Sequence, residues 1–144
     1  MNRVQHEVAA TPDEVWKVLA DGWLYPLWVV GATRIRHVED EWPAPGSRIH
    51  HSIGVWPLVL DDDTEVVRSV EGSLLHLRAR AWPTGEADVV IRLEDRGAGS
   101  QVTIEEDLVA GPARFVPKPA RSLALQVRNR ETLRRLAWLA ERRA

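Results

Sequence analysis

The sequence predicts an α+β fold in which a curved seven-stranded antiparallel sheet wraps around a long C-terminal helix, with two short helices between the first two strands. Two observations lead to this prediction. From Ala32 to Val109 the chain alternates apolar and polar residues in the strand period of two, and short turns rich in Gly and Pro interrupt it repeatedly. From Ala120 to Ala144 the chain instead shows its only long stretch of helical periodicity.

The composition favours one domain that covers residues 1–144, because a chain of this length can bury a sizeable core without disulfides. There is no cysteine, which excludes a thiolate nucleophile and a cysteine metal site. Nineteen basic and 21 acidic residues give a net charge of −2, so we expect no nucleic-acid partner. The N-terminus, MNRVQHEVAA, lacks the apolar core of a signal peptide, and no apolar run reaches the roughly 20 residues of a membrane helix. We therefore expect a cytoplasmic protein without stable membrane insertion.

The chain begins with a strand and continues with two helical segments. Arg3–Ala9 alternates apolar and polar residues, as a strand does. The sequence Thr11-Pro12-Asp13-Glu14 supplies an N-cap, a first-turn proline and early acidic residues, so it predicts a helix that ends at Gly22. The apolar, proline-broken segment GWLYPLWVVG, residues 22–31, predicts a short second helix or turn that closes one end of the molecule.

Six further strands are expected to form a meander, with the first strand joining one edge of the sheet. Their expected ranges are Thr33–Trp42, Arg48–Trp56, Thr64–Val70, Leu74–Trp82, Ala87–Glu94 and Gln101–Val109. The acidic run Asp61–Asp63 falls between two of these ranges, and we interpret it as a solvated turn because its carboxylates lack the spacing of a metal site. Since the alternation leaves one face of the sheet dry, the long helix should lie across that concave face.

The long C-terminal helix carries an apolar stripe that one amide interrupts. Asn129 lies in the middle of a stripe that also contains Leu133 and Leu136. A buried amide without a hydrogen-bond partner destabilises a fold by roughly 1–3 kcal/mol, so Asn129 needs a partner. A strongly curved sheet seldom seats a straight helix along its whole length, and we therefore expect a ligand pocket between them, bordered by Asn129.

Two strand residues are further polar groups on predicted inner faces. His51 interrupts the apolar set that includes Ile53, and Glu106 interrupts the set of the last strand. Glu106 could pair with His51, accept a hydrogen bond from Asn129, or exchange a proton with a ligand. The alternative is that His51 is a hydrogen-bonded core histidine and Glu106 a partly exposed strand residue.

These face assignments give a set of candidate ligand-binding residues. We expect no cofactor and no metal. The set is Tyr25, Trp28, His51, Ile53, Leu77, Ile91, Glu106, Asn129 and Leu133, of which Glu106, His51 and Tyr25 are the candidates for acid–base catalysis. The sequence contains no phosphate-binding loop, Gly-x-Ser-x-Gly elbow or His-Glu-x-x-His motif. Trp138 falls on the charged side of the last helix, where it could anchor a partner or a homodimer, or lie over arginine stems.

Four stretches carry a resemblance to a known family, namely VAATPDEVWKVLAD, WLYPLWVVGA, PAPGSRIHHSIGVWPLVLDDDTEV and RNRETLRRLAWLAE. With the order of the elements, they make the chain similar to the START-like helix-grip superfamily (SRPBCC proteins), which includes polyketide cyclase/dehydrase and lipid-transport proteins. The resemblance implies a deep cavity for a hydrophobic polyketide-, lipid- or aromatic-like molecule, in a carrier, a sensor, or a cyclase, aromatase or dehydratase. It transfers no catalytic residue, because the family shares no single catalytic motif.

Overall fold

The computed structural model describes residues 2–30, 32–55, 58–81 and 85–143. The described strands form one seven-stranded antiparallel sheet in the order β1-β7-β6-β5-β4-β3-β2. They are β1 (Asn2–Val8), β2 (Ala32–Val38), β3 (Arg48–Val55), β4 (Leu58–Val70), β5 (Leu74–Ala81), β6 (Gly85–Asp95) and β7 (Ser100–Ala110). The helices are α1 (Pro12–Ala20), α2 (Tyr25–Trp28) and α3 (Lys118–Arg143), with 3-10 turns at Gly22–Leu24 and Pro112–Phe115. This is the predicted α+β architecture, a helix-grip fold.

The first strand joins the edge of the sheet beside the last strand, as expected. β1 pairs with β7 along its whole length, from Asn2 opposite Glu106 to Val8 opposite Ser100. Strands β2 to β7 follow one another as a meander. Register shifts in the β2–β3, β4–β5 and β6–β7 pairs bend the strands where they occur.

Helix α1 begins at the predicted N-cap. The Thr11 hydroxyl accepts a hydrogen bond from the backbone N–H of Glu14 (3.2 Å), and the Glu14 carboxylate accepts one from the backbone N–H of Thr11 (3.0 Å). This capping box satisfies two backbone donors that the first helical turn would otherwise leave without partners. The apolar face of α1 buries Val15, Val18 and Leu19 in the core.

Strand β2 ends at Val38, four residues earlier than predicted. The chain then turns back through residues 39–46, where the Glu39 carboxylate accepts the backbone N–H of Arg48 (3.0 Å). Trp42 is buried outside the sheet, and its indole N–H donates to the backbone carbonyl of Leu19 in α1 (3.2 Å). The prediction was wrong here because Trp42 packs against a helix and not against a neighbouring strand.

Strand β4 contains the acidic run Asp61–Asp63, so its interpretation as a turn was wrong. Three arginines compensate the outer carboxylates. Arg48 on β3 and Arg80 on β5, the two neighbouring strands, lie 3.5 Å and 2.6 Å from Asp63, and Arg36 on β2, one strand further away, lies 3.6 Å from Asp61. Cross-strand ion pairs of this kind let a highly charged segment occupy a strand. The predicted strand ends at Trp56 and Trp82 and the turn at Pro83 and Thr84 lie outside the described residues.

Helix α3 covers the sheet only with its C-terminal part. It packs against β1, β7, α1 and α2. Its buried residues all lie from position 129 onwards: Asn129, Thr132, Leu133, Leu136, Ala137, Leu139 and Ala140. None of the residues from Lys118 to Arg128 is buried. The apolar contact between helix and sheet is therefore confined to one end of the helix.

Trp138 lies on the outer side of α3, as the helical periodicity predicts. Its side chain is 56% exposed, and the guanidinium carbon of Arg142 lies 5.1 Å from the centre of its ring. This is the cation–π arrangement of an arginine over an indole. None of the described helices has the length and apolarity needed to cross a membrane.

The capping box gives a prediction for stability. Thr11→Ala removes the side-chain acceptor at the start of α1 and should lower the free energy of unfolding by about 1 kcal/mol. Thr11→Ser keeps the acceptor and should remain close to wild type. Urea unfolding followed by circular dichroism measures both changes, and equal midpoints for the Thr11→Ala variant and wild type would contradict the assignment of the cap.

Candidate ligand-binding cavity

A cavity of about 400 Å3 lies under the first half of α3, where the helix does not seat on the sheet. Its apolar wall consists of Trp28, Val29, Val30, Leu77, Ala79, Ala87, Val89, Ile104, Leu108 and Leu125. Its polar lining consists of Tyr25, His51, Thr64, Arg80, Glu86, Glu106, Arg128, Asn129 and Thr132, together with Gly85. Such a volume, mostly apolar with a few convergent polar groups, is typical of a small-molecule site.

The first polar group of the cavity connects β7 to α3. Glu106 points inward with 3% of its surface exposed, as the alternation predicts, and Asn129 donates to its Oε1 (3.1 Å). Arg128 donates from Nη2 to the other carboxylate oxygen. Of the partners predicted for Glu106, the structure therefore has Asn129 and not His51. Both carboxylate oxygens are occupied, and the buried negative charge has a cationic partner.

The second polar group of the cavity joins α2, β3 and β4. Thr64 lies between two partners, since its Oγ1 is 3.0 Å from the Tyr25 Oη and 2.8 Å from the His51 Nε2. The Tyr25 and His51 rings are stacked, with their centres 5.6 Å apart and their planes 11° apart. Trp28 packs edge-on against Tyr25, with the two ring centres 5.3 Å apart. His51 is thus a hydrogen-bonded buried histidine that also lines the cavity.

Burial keeps both titratable side chains of this group neutral. It raises the pKa of Tyr25 to about 12 and lowers the pKa of His51 below its usual value. The charged residues in the lining instead occur in opposed pairs, because Arg128 binds Glu106 and Arg80 donates from Nε to Glu86 (3.2 Å). The lining therefore presents compensated charges and neutral hydrogen-bonding groups to its interior.

The structure brings together most of the candidate ligand-binding residues. Six of them line the cavity: Tyr25, Trp28, His51, Leu77, Glu106 and Asn129. Ile91 and Leu133 are buried in the packed core and do not belong to the lining. Ile53 belongs to β3, but its side chain lies outside the described part of the structure.

Sequence reasoning missed Thr64 and Arg128. Thr64 could have been found from the alternation of the strand, because it lies on the same face as the apolar Val66 and is therefore a polar residue on an inner face. Arg128 falls on the charged side of the helical wheel and gave no such signal. It reaches Glu106 because the first half of α3 stands away from the sheet, and its side chain stays 42% exposed. Arg128 thus borders both the cavity and the solvent.

Comparison with known proteins identifies the family. Residues 2–141 match the family described as polyketide cyclase / dehydrase and lipid transport, and the chain belongs to this family. No curated protein matches the chain at a significant level.

Solved structures share the fold at low sequence identity. The di-domain ARO/CYC StfQ from the steffimycin biosynthetic pathway superposes with a TM-score of 0.74 at 13% identity, over 98% of this chain and 50% of its own. Protein NE0264 from Nitrosomonas europaea gives a TM-score of 0.72 at 17% identity, over 97% and 93%. DynU16, a putative protein of the dynemicin biosynthetic locus, gives 0.65 at 18% identity, over 97% and 46%. This chain thus spans half of StfQ and slightly less than half of DynU16.

The lowered pKa of His51 predicts a pH-dependent stability. Below the ordinary histidine pKa of about 6.5 the unfolded chain binds a proton that the folded protein does not, so the free energy of unfolding should fall between about pH 7 and pH 5. His51→Gln should reduce this slope. Urea unfolding across this pH range measures the slopes, and parallel curves for wild type and His51→Gln would contradict the assignment.

The ion pair between Arg128 and Glu106 predicts a second stability effect. Arg128→Met leaves the buried carboxylate with only its Asn129 bond and should lower the free energy of unfolding by about 1–2 kcal/mol. Arg130→Met changes an exposed arginine of the same helix and serves as the matched control, with no comparable loss expected. Equal chemical-denaturation midpoints for the two variants would show that the pair contributes nothing to stability.

Proposed function

We propose that the protein binds a hydrophobic small molecule of polyketide-, lipid- or aromatic-like character in the cavity under the first half of α3. One observation carries the proposal: an apolar volume of about 400 Å3 lies inside the fold with polar groups in its wall. Filling such a volume with an apolar molecule stabilises the complex by roughly 0.8 kcal/mol for each methylene removed from water. The family description, which names both cyclases and lipid transport, supports the proposal.

The electrostatics of the lining favour an uncharged ligand. Arg128 is paired with Glu106 and Arg80 with Glu86, so an ionic ligand would have to break an existing pair. Neutral Tyr25 and His51 leave hydrogen bonding as the means of orienting a bound molecule. A multi-ring or long-chain molecule with a few neutral oxygen substituents fits these requirements best.

The second candidate function is a cyclase, aromatase or dehydratase acting on a poly-β-keto-like substrate. It is favoured by the presence of Glu106, His51 and Tyr25 in one cavity and by the family description. Such a reaction needs a pocket that folds the substrate and one acid or base. Tyr25 would act as a donor to a carbonyl, since a phenol with a pKa of about 12 keeps its proton. Glu106 would become a base only after a substrate displaced one of its two donors.

A cavity-filling variant tests ligand binding. Ala87→Phe places a ring in the cavity and should abolish binding of the apolar fluorophore N-phenyl-1-naphthylamine, measured by fluorescence titration. Val90→Phe lies on the opposite face of the same strand and should bind the fluorophore as wild type does. Equal binding by the two variants would contradict the proposed location. Mass spectrometry of an organic extract of purified protein then identifies any ligand acquired during expression.

Turnover separates the two candidate functions. If the protein is a cyclase or dehydratase, Glu106→Gln should lower kcat by at least about a hundredfold on a poly-β-keto substrate while binding changes little. If the protein only binds its ligand, the wild type and the variant will show no turnover above buffer. A variant that turns over the substrate as fast as wild type would exclude Glu106 as the acid–base group.

The cytoplasmic location stays a prediction. The homodimer anchored by Trp138 also stays a prediction, and sedimentation tests it. If Trp138 anchors a second copy, the wild type should sediment as a dimer and Trp138→Ala as a monomer. If the indole serves only as a support for Arg142, both proteins should sediment as monomers at the same rate.

A further inference from the structure

Tyr25, Thr64 and His51 form a chain of hydrogen bonds in which one hydroxyl has two partners. The Thr64 hydroxyl has a single proton and lies between the phenol of Tyr25 (3.0 Å) and Nε2 of His51 (2.8 Å). All three residues are buried and all three line the cavity. A hydroxyl donates once, but its oxygen can accept twice. If Thr64 donates to His51, Tyr25 must therefore donate to Thr64, whereas a bond donated by His51 leaves both directions open for the Tyr25 bond.

Three arrangements of protons satisfy these distances. If His51 carries its proton on Nε2, it donates to Thr64, and Thr64 either donates to the phenol oxygen or accepts from the phenol as well. In both cases one hydroxyl proton, that of Tyr25 or that of Thr64, is free to point elsewhere. If His51 carries its proton on Nδ1, its Nε2 accepts from Thr64 and Thr64 accepts from Tyr25. In that third arrangement both hydroxyl protons are used inside the chain of bonds.

The surroundings of His51 indicate which ring nitrogen carries the proton. Its Nδ1 is buried and has no hydrogen-bond partner among the described residues. A proton on Nδ1 would therefore be a buried N–H without an acceptor, which is rarer in folded proteins than an unused acceptor. Burial also keeps the ring from carrying both protons.

We infer that the Nε2–H tautomer of His51 leaves one hydroxyl proton of the Tyr25–Thr64 pair for the cavity, which therefore selects ligands with a hydrogen-bond acceptor, such as a carbonyl oxygen, at this position. This inference rests on the proposed function and adds the chemistry of the ligand to it. His51 acts as the positioning residue, and Tyr25 and Thr64 supply the hydroxyls that line the cavity. The stacking of the Tyr25 ring on the His51 ring and the edge contact with Trp28 hold the phenol in place. Among the described residues, neither hydroxyl has a further hydrogen-bond partner.

The tautomer of His51 is measurable without any ligand. Protein labelled with 15N-histidine gives two-bond correlation spectra in which the Nε2–H and Nδ1–H tautomers have distinct patterns, and His51→Gln assigns the signal. At neutral pH we expect a protonated Nε2 and an unprotonated Nδ1 for His51. A protonated Nδ1, alone or together with Nε2, would overturn the inference while leaving the proposed function untouched.

Three probes of the same three-ring shape test the selectivity: 9-fluorenone offers only an acceptor, carbazole only a donor, and fluorene neither. Wild type should bind fluorenone about tenfold more tightly than fluorene, and carbazole no more tightly than fluorene. The double variant Tyr25→Phe/Thr64→Val removes both hydroxyls and should remove the preference for fluorenone over fluorene. Tighter binding of carbazole than of fluorenone by wild type, or a fluorenone preference that survives the double variant, would overturn the inference.

Variants of Thr64 test whether the chain of bonds, and not the phenol alone, sets the selectivity. Thr64→Val breaks the chain at almost constant volume and should bring the fluorenone and carbazole affinities together. Thr64→Ser restores the hydroxyl and should restore the discrimination, which a purely structural role would not require. Binding of none of the probes by a protein with the Nε2 tautomer would overturn the proposed function, and with it the selectivity, but not the proton arrangement.

Discussion

From Asn129 onwards α3 buries a side chain at nearly every inward position, whereas no side chain from Lys118 to Arg128 is buried. The helix packs unevenly because a straight helix of 26 residues cannot follow a curved sheet along its whole length. The C-terminal half of the helix supplies the apolar core with Leu133, Leu136 and Ala140. The first half spans the cavity, and the volume, the lining and the proposed ligand all depend on this difference.

Polar contacts hold the first half of α3 in the place where apolar packing is missing. Asn2, at the start of β1, donates to the backbone carbonyl of Ser122 (2.9 Å) and to its hydroxyl (3.0 Å). Glu106 on β7 binds both Arg128 and Asn129. Hydrogen bonds to charged groups contribute about as much as the burial of a small side chain, but they exchange with water where they are accessible. The two halves of the helix are thus held by different interactions, and the cavity lies under the half that polar contacts hold.

Most charged side chains in and around the sheet lie beside a side chain of opposite charge. On the outer face of the sheet Arg36, Arg48 and Arg80 compensate the acidic strand β4, and on the inner face the buried carboxylate of Glu106 pairs with Arg128. A solitary charge in the cavity would be costly in the absence of ligand. The polar atoms left to recognise a ligand are therefore those of neutral groups, among them the hydroxyls of Tyr25 and Thr64 and the indole N–H of Trp28, which has no partner among the described residues.

The sequence by itself determined the order of the elements, the capped start of α1, the inward faces of the strands and the inward positions of His51, Glu106 and Asn129. These features follow from local periodicity and local capping, which neighbouring residues along the chain decide. Only the tertiary structure decided that Asp61–Asp63 lie in a strand, that Arg128 reaches Glu106, that Thr64 joins Tyr25 to His51, and that Leu133 and Ile91 belong to the core beside the cavity. Each of these depends on which residues of distant segments meet, and on how far a helix stands from a curved sheet, and periodicity carries no information on either.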